Sequence, residues 1–131
     1  MISINTSSDG VVIASDLPEG VIILRGDSGT GKTLFMGALA AYCETNAIPY
    51  YMCNSQAGRF IDEAIIKSSE GCRVLLLDNA DLYLTNDLLK VLRDKAEYII
   101  ISKKQLYNID TDNVYYALVH YEKNYLKLEV F

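Results

Sequence analysis

The chain has 131 residues, half of them hydrophobic and 22% charged, with the apolar residues in separated runs. This excludes a disordered segment, which could not bury enough apolar surface to offset its ordering entropy, and points to one domain with a core of its own. Twelve Lys and Arg against seventeen Asp and Glu leave a net charge of −5, which excludes a diffuse basic field for nucleic acid or anionic lipid.

In chain order, Val11–Ala14 follows the turn signal Asp9-Gly10 and is expected to pair with Ile2–Asn5 as an opening hairpin. Leu17-Pro18-Glu19-Gly20 reads as a tight turn. Val21-Ile22-Ile23-Leu24 has no polar alternation, the pattern of a strand covered on both faces. Lys32 to Thr45 predicts a helix, with Leu34, Phe35, Ala38, Leu39 and Tyr42 at helical spacing. Pro49–Cys53 predicts a short strand, and Phe60, Ala64 and Ile65 a helix over Ala57–Lys67.

Val74–Leu77 is a second fully apolar run, ending at Asp78; Thr85 is the expected N-cap of a helix carrying Leu88, Leu89 and Leu92. Tyr98–Ser102 predicts a further buried strand. Residues 114–121 and 125–131 predict an antiparallel pair turning at Glu122-Lys123-Asn124. The alternation of strands and helices implies right-handed crossovers and an α/β fold: a mostly parallel sheet, helices on both faces, and a C-terminal antiparallel hairpin. Within one domain over 1–131, residues 1–20 form the hairpin and turn, 21–102 the core, and 103–131 the C-terminal hairpin.

Cys43, Cys53 and Cys72 contain no Cys-x-x-Cys pair and read as reduced thiols in apolar segments. His120 is the single histidine, so a zinc site would need carboxylates to complete it. Met1–Asn5 lacks the basic start and apolar run of an export signal. The longest apolar stretches fall far short of the ~20 residues that cross a membrane. A cytoplasmic setting without membrane contact is expected.

The chemistry is concentrated in Gly26-Asp27-Ser28-Gly29-Thr30-Gly31-Lys32-Thr33, which fits G-x-x-x-x-G-K-[ST] without a mismatch. At ordinary residue frequencies a chain of this length meets that pattern by accident less than about once in a hundred sequences. It also stands where the mechanism needs it, after a buried strand and at the start of a helix. The glycines let backbone N–H groups approach phosphate, and the helix N-terminus adds partial positive charge. Lys32 is expected to reach the β- and γ-phosphates and the Thr33 hydroxyl to coordinate Mg²⁺. Asp78, at the C-terminal end of a parallel strand, is the expected second metal group, as in a Walker B strand. Taken alone, it would read as a cap on the next turn.

These two motifs together resemble the P-loop ATPases of the additional-strand type, which include AAA+, RecA-like and zonula-occludens-toxin-like phage ATPases. The resemblance spans about residues 21–102 and implies a three-layer P-loop NTPase fold with ATP and Mg²⁺ as ligands. It also implies a strand between the P-loop strand and the Walker B strand, here Tyr98–Ile101, with Ser102 in the polar sensor position and Gln105 nearby. The chain departs from the family twice. The glutamate that usually follows the Walker B aspartate, as the base for water, is replaced by Asn79, then Ala80 and Asp81. An amide orients water but cannot take its proton, so Asn79, Asp81 and Ser102 are the candidates for placing it. In addition, the residues after the core read as a hairpin rather than a helical lid with a sensor arginine. Arg59 and Arg93 read as solvated helix charges, with service to a neighbouring subunit's site as the sharper alternative.

A minimal Mg²⁺-dependent ATPase is the first reading. The second is a nucleotide-binding regulatory or assembly subunit with little turnover, working with a protein partner or as a homo-oligomer. A GTPase fits less well: Ser102-Lys103-Lys104-Gln105 stands where guanine recognition uses [N/T]-K-x-D. A small-molecule kinase would need an arginine-rich lid segment. Ten tyrosines are present, with Tyr115, Tyr116, Tyr121 and Tyr125 concentrated near the C-terminus. They read as cross-strand packing or as a stacking surface.

Overall fold

A computed structural model describes residues 2–8, 11–25, 31–53, 61–80, 83–102, 114–122 and 125–130. The elements in chain order are β1 (Ile2–Ser8), β2 (Val11–Leu17), β3 (Gly20–Arg25), α1 (Lys32–Thr45), β4 (Tyr50–Cys53), α2 (Ile61–Ser69), β5 (Val74–Leu77), α3 (Asn86–Arg93), β6 (Tyr98–Ser102), β7 (Val114–Glu122) and β8 (Tyr125–Val130). The strands form one eight-stranded sheet in the order β1-β2-β8-β7-β3-β6-β5-β4. Of its seven pairings, only β1 with β2 and β7 with β8 are antiparallel, so the sheet is mostly parallel as expected.

The apolar strands are the central ones. Val21–Leu24, Val74–Leu77 and Tyr98–Ile101 are wholly buried, and successive residues feed two separate cores. Ile22, Leu24, Val74, Leu76, Tyr98 and Ile100 pack with Phe35, Met36, Leu39 and Cys43 of α1. Val21, Ile23, Leu75, Leu77, Ile99 and Ile101 pack with Ile65 of α2 and Leu88, Leu89 and Leu92 of α3. Both faces of these strands are therefore covered, which is why their sequences show no polar alternation. β8 is the contrast: Leu126 and Leu128 are buried, and Tyr125, Lys127 and Glu129 are exposed.

Two features of the sheet lay beyond sequence periodicity. β7 pairs in parallel with β3, and β2 pairs in parallel with β8, so both hairpins belong to the main sheet. α1 touches β1 and β4, the two edge strands. In a flat sheet these edges would stand about 33 Å apart, farther than the ~21 Å length of a helix of this size. The sheet accordingly bends around α1, with Ile4 of β1 buried in the same core.

Local signals account for several element ends. Thr85 caps α3 as expected, its Oγ1 accepting from Leu88 N–H at 3.1 Å. Gly20, at φ +127, closes the turn into β3. α2 runs on to Ser69, whose hydroxyl donates to the Ile66 carbonyl at 2.8 Å. The helix was expected to stop at Lys67; its expected first residues, 57–60, lie outside the described residues. β1 extends to Ser8 rather than Asn5, because an edge strand tolerates polar side chains. Among the described residues no helix is long and apolar enough to cross a membrane. Cys43, Cys53 and Cys72 are free thiols; the first two are buried and Cys72 is half-buried.

Candidate functional site

The strand order places β6 between β3 and β5, so the strand entering the glycine-rich loop and the strand ending at Asp78 flank Tyr98–Ser102. All three run in parallel, and their C-terminal ends open on one edge of the sheet. Side-chain alternation then decides orientation. Leu76 faces α1 and Leu77 faces away, so Asp78 returns to the α1 side. By the same count Ser102 follows Ile101 onto the α1 face, beside Leu24.

α1 begins at that edge. Gly31 has φ +97, a left-handed conformation that favours glycine. Phe35 N–H donates to the Gly31 carbonyl at 2.8 Å, the first bond of the helix, so the amides before it point off its end. A Cβ on Gly31 would lie 3.3 Å from Tyr121 Cβ and 3.4 Å from Leu126 Cδ2, so the β7–β8 hairpin packs directly behind this turn.

Thr33 and Asp78, 45 residues apart in sequence, meet here: Thr33 Oγ1 donates to Asp78 Oδ2 at 3.0 Å. Asp78 is only 3% exposed, Lys32 8% and Ser102 5%, although all are polar or charged. Burial of such groups is costly unless they are paired. Asp78 Oδ1 accepts the backbone N–H of Asn79 at 3.0 Å, so both carboxylate oxygens are engaged. Asn79 is exposed and has φ +51, one of two non-glycine residues with positive φ among those described.

One participant was not singled out from sequence. Tyr83 is 6% exposed. Its hydroxyl donates to the Asp78 carbonyl at 2.7 Å and lies 3.2 Å from the Cys53 carbonyl. Burial, then the neighbouring Cys53 and Asp78, push its ionisation well above the ordinary tyrosine value, so it remains a donor at physiological pH. The available signal was a tyrosine five residues beyond Asp78, within an apolar stretch, whose hydroxyl needs a partner once buried.

The structure thus brings together Lys32, Thr33, Asp78 and Ser102 at one sheet edge, with Gly31 and Asn79 in the adjoining turns. Gly26, Asp27, Ser28, Gly29, Thr30 and Asp81 lie outside the described residues, as do Arg59, Lys103, Lys104 and Gln105. Arg93 is elsewhere: with Glu19 and Glu97 it lines a cavity of about 180 Å³ at the start of β3, the far end of the sheet. His120 Nε2 pairs with Glu129 Oε2 across the β7–β8 hairpin at 2.7 Å, both side chains being exposed. Arg25, the last residue of β3, stacks over Tyr116 at 5.7 Å, while Tyr121 and Tyr125 are partly exposed.

Chemically, the edge offers a helix N-terminus, a buried ammonium group, and a hydroxyl facing a carboxylate. Comparisons with protein-family models, curated proteins and solved structures find no match to this chain.

Proposed function

We propose that this chain is a minimal P-loop ATPase of the additional-strand type, with the three-layer P-loop NTPase fold, binding ATP with Mg²⁺ and hydrolysing it in the cytoplasm. The observation that carries this reading is the 3.0 Å hydrogen bond from Thr33 to Asp78. A Lys-Thr following a glycine-rich loop and an acid following an apolar strand are each ambiguous alone. Their convergence at the C-terminal ends of parallel strands, where such sheets bind ligands, supports phosphate and metal binding, and β6 between their strands supports the additional-strand type. Free cysteines agree with a reducing compartment.

The residues fit the cation as well as the phosphates. Thr33 Oγ1 and Asp78 Oδ2 are hard oxygen donors side by side, and Mg²⁺ is held by one or two such groups together with phosphate oxygens. When bound, the cation neutralises charge on the phosphate chain. Lys32 contributes a second positive charge from a buried position, where a Coulombic contact is worth more than in water. Gly26–Thr33 supplies backbone donors to the phosphates. Asn79 and Ser102 supply an amide and a hydroxyl for orienting the attacking water, and Asp81 is the remaining acid in that stretch.

Asn79 also motivates a second reading, a nucleotide-binding regulatory or assembly subunit with little turnover. The residue after Asp78 carries no base, and its own N–H is committed to the Asp78 carboxylate.

The test is calorimetric titration of ATP, GTP and ADP with Mg²⁺, followed by phosphate release. ATP binding that Mg²⁺ strengthens, lost in Lys32→Ala, is the expected result. Unchanged ATP affinity and turnover in Lys32→Ala would overturn the proposal. Brisk turnover by the isolated protein selects the ATPase over the regulator.

A further inference from the structure

The peptide group joining Asp78 to Asn79 is held at both ends. Its carbonyl accepts from Tyr83 Oη at 2.7 Å, and its N–H donates to Asp78 Oδ1 at 3.0 Å. The other carboxylate oxygen, Oδ2, receives the Thr33 hydroxyl. A continuous line of hydrogen bonds therefore runs from Tyr83, through one peptide and one carboxylate, to Thr33. The Cys53 carbonyl closes the arrangement from β4, accepting Asp78 N–H at 2.9 Å with the Tyr83 hydroxyl 3.2 Å away.

We propose that Tyr83 is a positioning residue for Asp78: its hydroxyl fixes the Asp78–Asn79 peptide, and the fixed peptide aims the carboxylate at Thr33 and the divalent cation. The inference rests on the reading of Asp78 as a metal-binding group. Two features argue for a role beyond filling the core. Burial of the ring in the core that also holds Ile65, Leu77 and Leu84 needs no hydroxyl, yet the hydroxyl takes its shorter contact to the residue bearing the carboxylate. The peptide also needs holding, since Asn79 sits at φ +51, in the left-handed region that costs every side-chain-bearing residue something, asparagine less than most. Without the phenolic donor that peptide can turn over, withdrawing its N–H from Oδ1 and leaving the carboxylate free to rotate away from Thr33.

The experiment is a Mg²⁺ titration of ATP binding in wild type and Tyr83→Phe, which keeps the ring and removes the hydroxyl. Loss of one positioning hydrogen bond is expected to raise the half-saturating Mg²⁺ concentration about five- to tenfold. ATP affinity in EDTA should stay unchanged, a separation that a purely structural role would not produce. In an Asp78→Asn background, Tyr83→Phe should add less than a twofold change, because the carboxylate being aimed is gone. Should Tyr83→Phe fail to fold, Asn79→Ala keeps Tyr83 and makes the left-handed peptide costlier; the Mg²⁺ requirement should again rise several-fold. A wild type that binds ATP with Mg²⁺ and a variant with the same Mg²⁺ requirement overturn the role of Tyr83 alone. A wild type without Mg²⁺-dependent binding overturns the site reading and this proposal together.

Discussion

Thr33→Val removes one hydroxyl while keeping a β-branched side chain in the first turn of α1, where valine and threonine have similar helix propensity. In the folded protein that hydroxyl donates to Asp78 Oδ2 at 3.0 Å. The carboxylate is 3% exposed, and its other oxygen is occupied by Asn79 N–H. Its loss of a donor is therefore poorly repaired by solvent. Hydrogen bonds to charged groups contribute about 1.5–3 kcal/mol. Thr33 itself is exposed, so some water can reach the vacated position, which favours the lower end, about 1.5 kcal/mol. With an unfolding entropy of about 2.1 cal/mol/K per residue, this corresponds to a Tm lowered by about 5 °C in a chain of this length. Scanning calorimetry in EDTA measures that term. Repeating the scan with Mg²⁺ and ATP measures the second consequence: ligand at a hundred times its Kd stabilises wild type by about 2.7 kcal/mol, and Thr33→Val should forfeit most of it. A variant melting within 1 °C of wild type in EDTA (about 1 °C being well below the expected shift), with the full ligand-induced gain, would refute the reasoning.

Two further expectations concern stability. Gly31→Ala should cost about 2 kcal/mol, because φ +97 disfavours an L residue and its Cβ would press on Tyr121 Cβ. Gly37→Ala, where a Cβ meets open space within a helix, should instead gain about 0.5–1 kcal/mol; urea unfolding that ranks the two alike would contradict the geometry. Burial pushes the Cys43 thiol up to about 11 from an ordinary value of 9.0, against a smaller opposing pull from Arg73. The unfolded chain then loses that proton first, so the contribution is complete below pH 9 and disappears as pH rises towards 11. Its steepest slope is about 1.4 kcal/mol per pH unit. Cys43→Ala should flatten the decline in unfolding free energy between those limits, and parallel curves for variant and wild type would exclude the effect.

The strands that carry the site were the most legible part of the chain. Val21–Leu24, Val74–Leu77 and Tyr98–Ile101 pack against α1 on one face and against α2 and α3 on the other, and burial on both faces leaves an unbroken apolar run in the sequence. Thr85 and Gly20 were legible for local reasons, one as a side-chain cap and the other as a turn with positive φ. Pairing was less so. The parallel contacts of β7 with β3 and of β2 with β8 join strands distant in sequence, and period-two alternation does not name a partner. At the site, Thr33 and Asp78 could be nominated because each stands at a fixed place in a motif. Tyr83 could not be nominated that way, since its role depends on the turn that carries it back beneath the Asp78 carbonyl.

The most direct test of the central claim is a crystal structure of the protein with Mg²⁺ and a non-hydrolysable ATP analogue. The account predicts phosphates against Gly26–Thr33 at the N-terminus of α1, the Lys32 ammonium on the terminal phosphates, and the cation beside Thr33 Oγ1 and the Asp78 carboxylate. Analogue bound elsewhere, or Asp78 turned away from a bound cation, would contradict it.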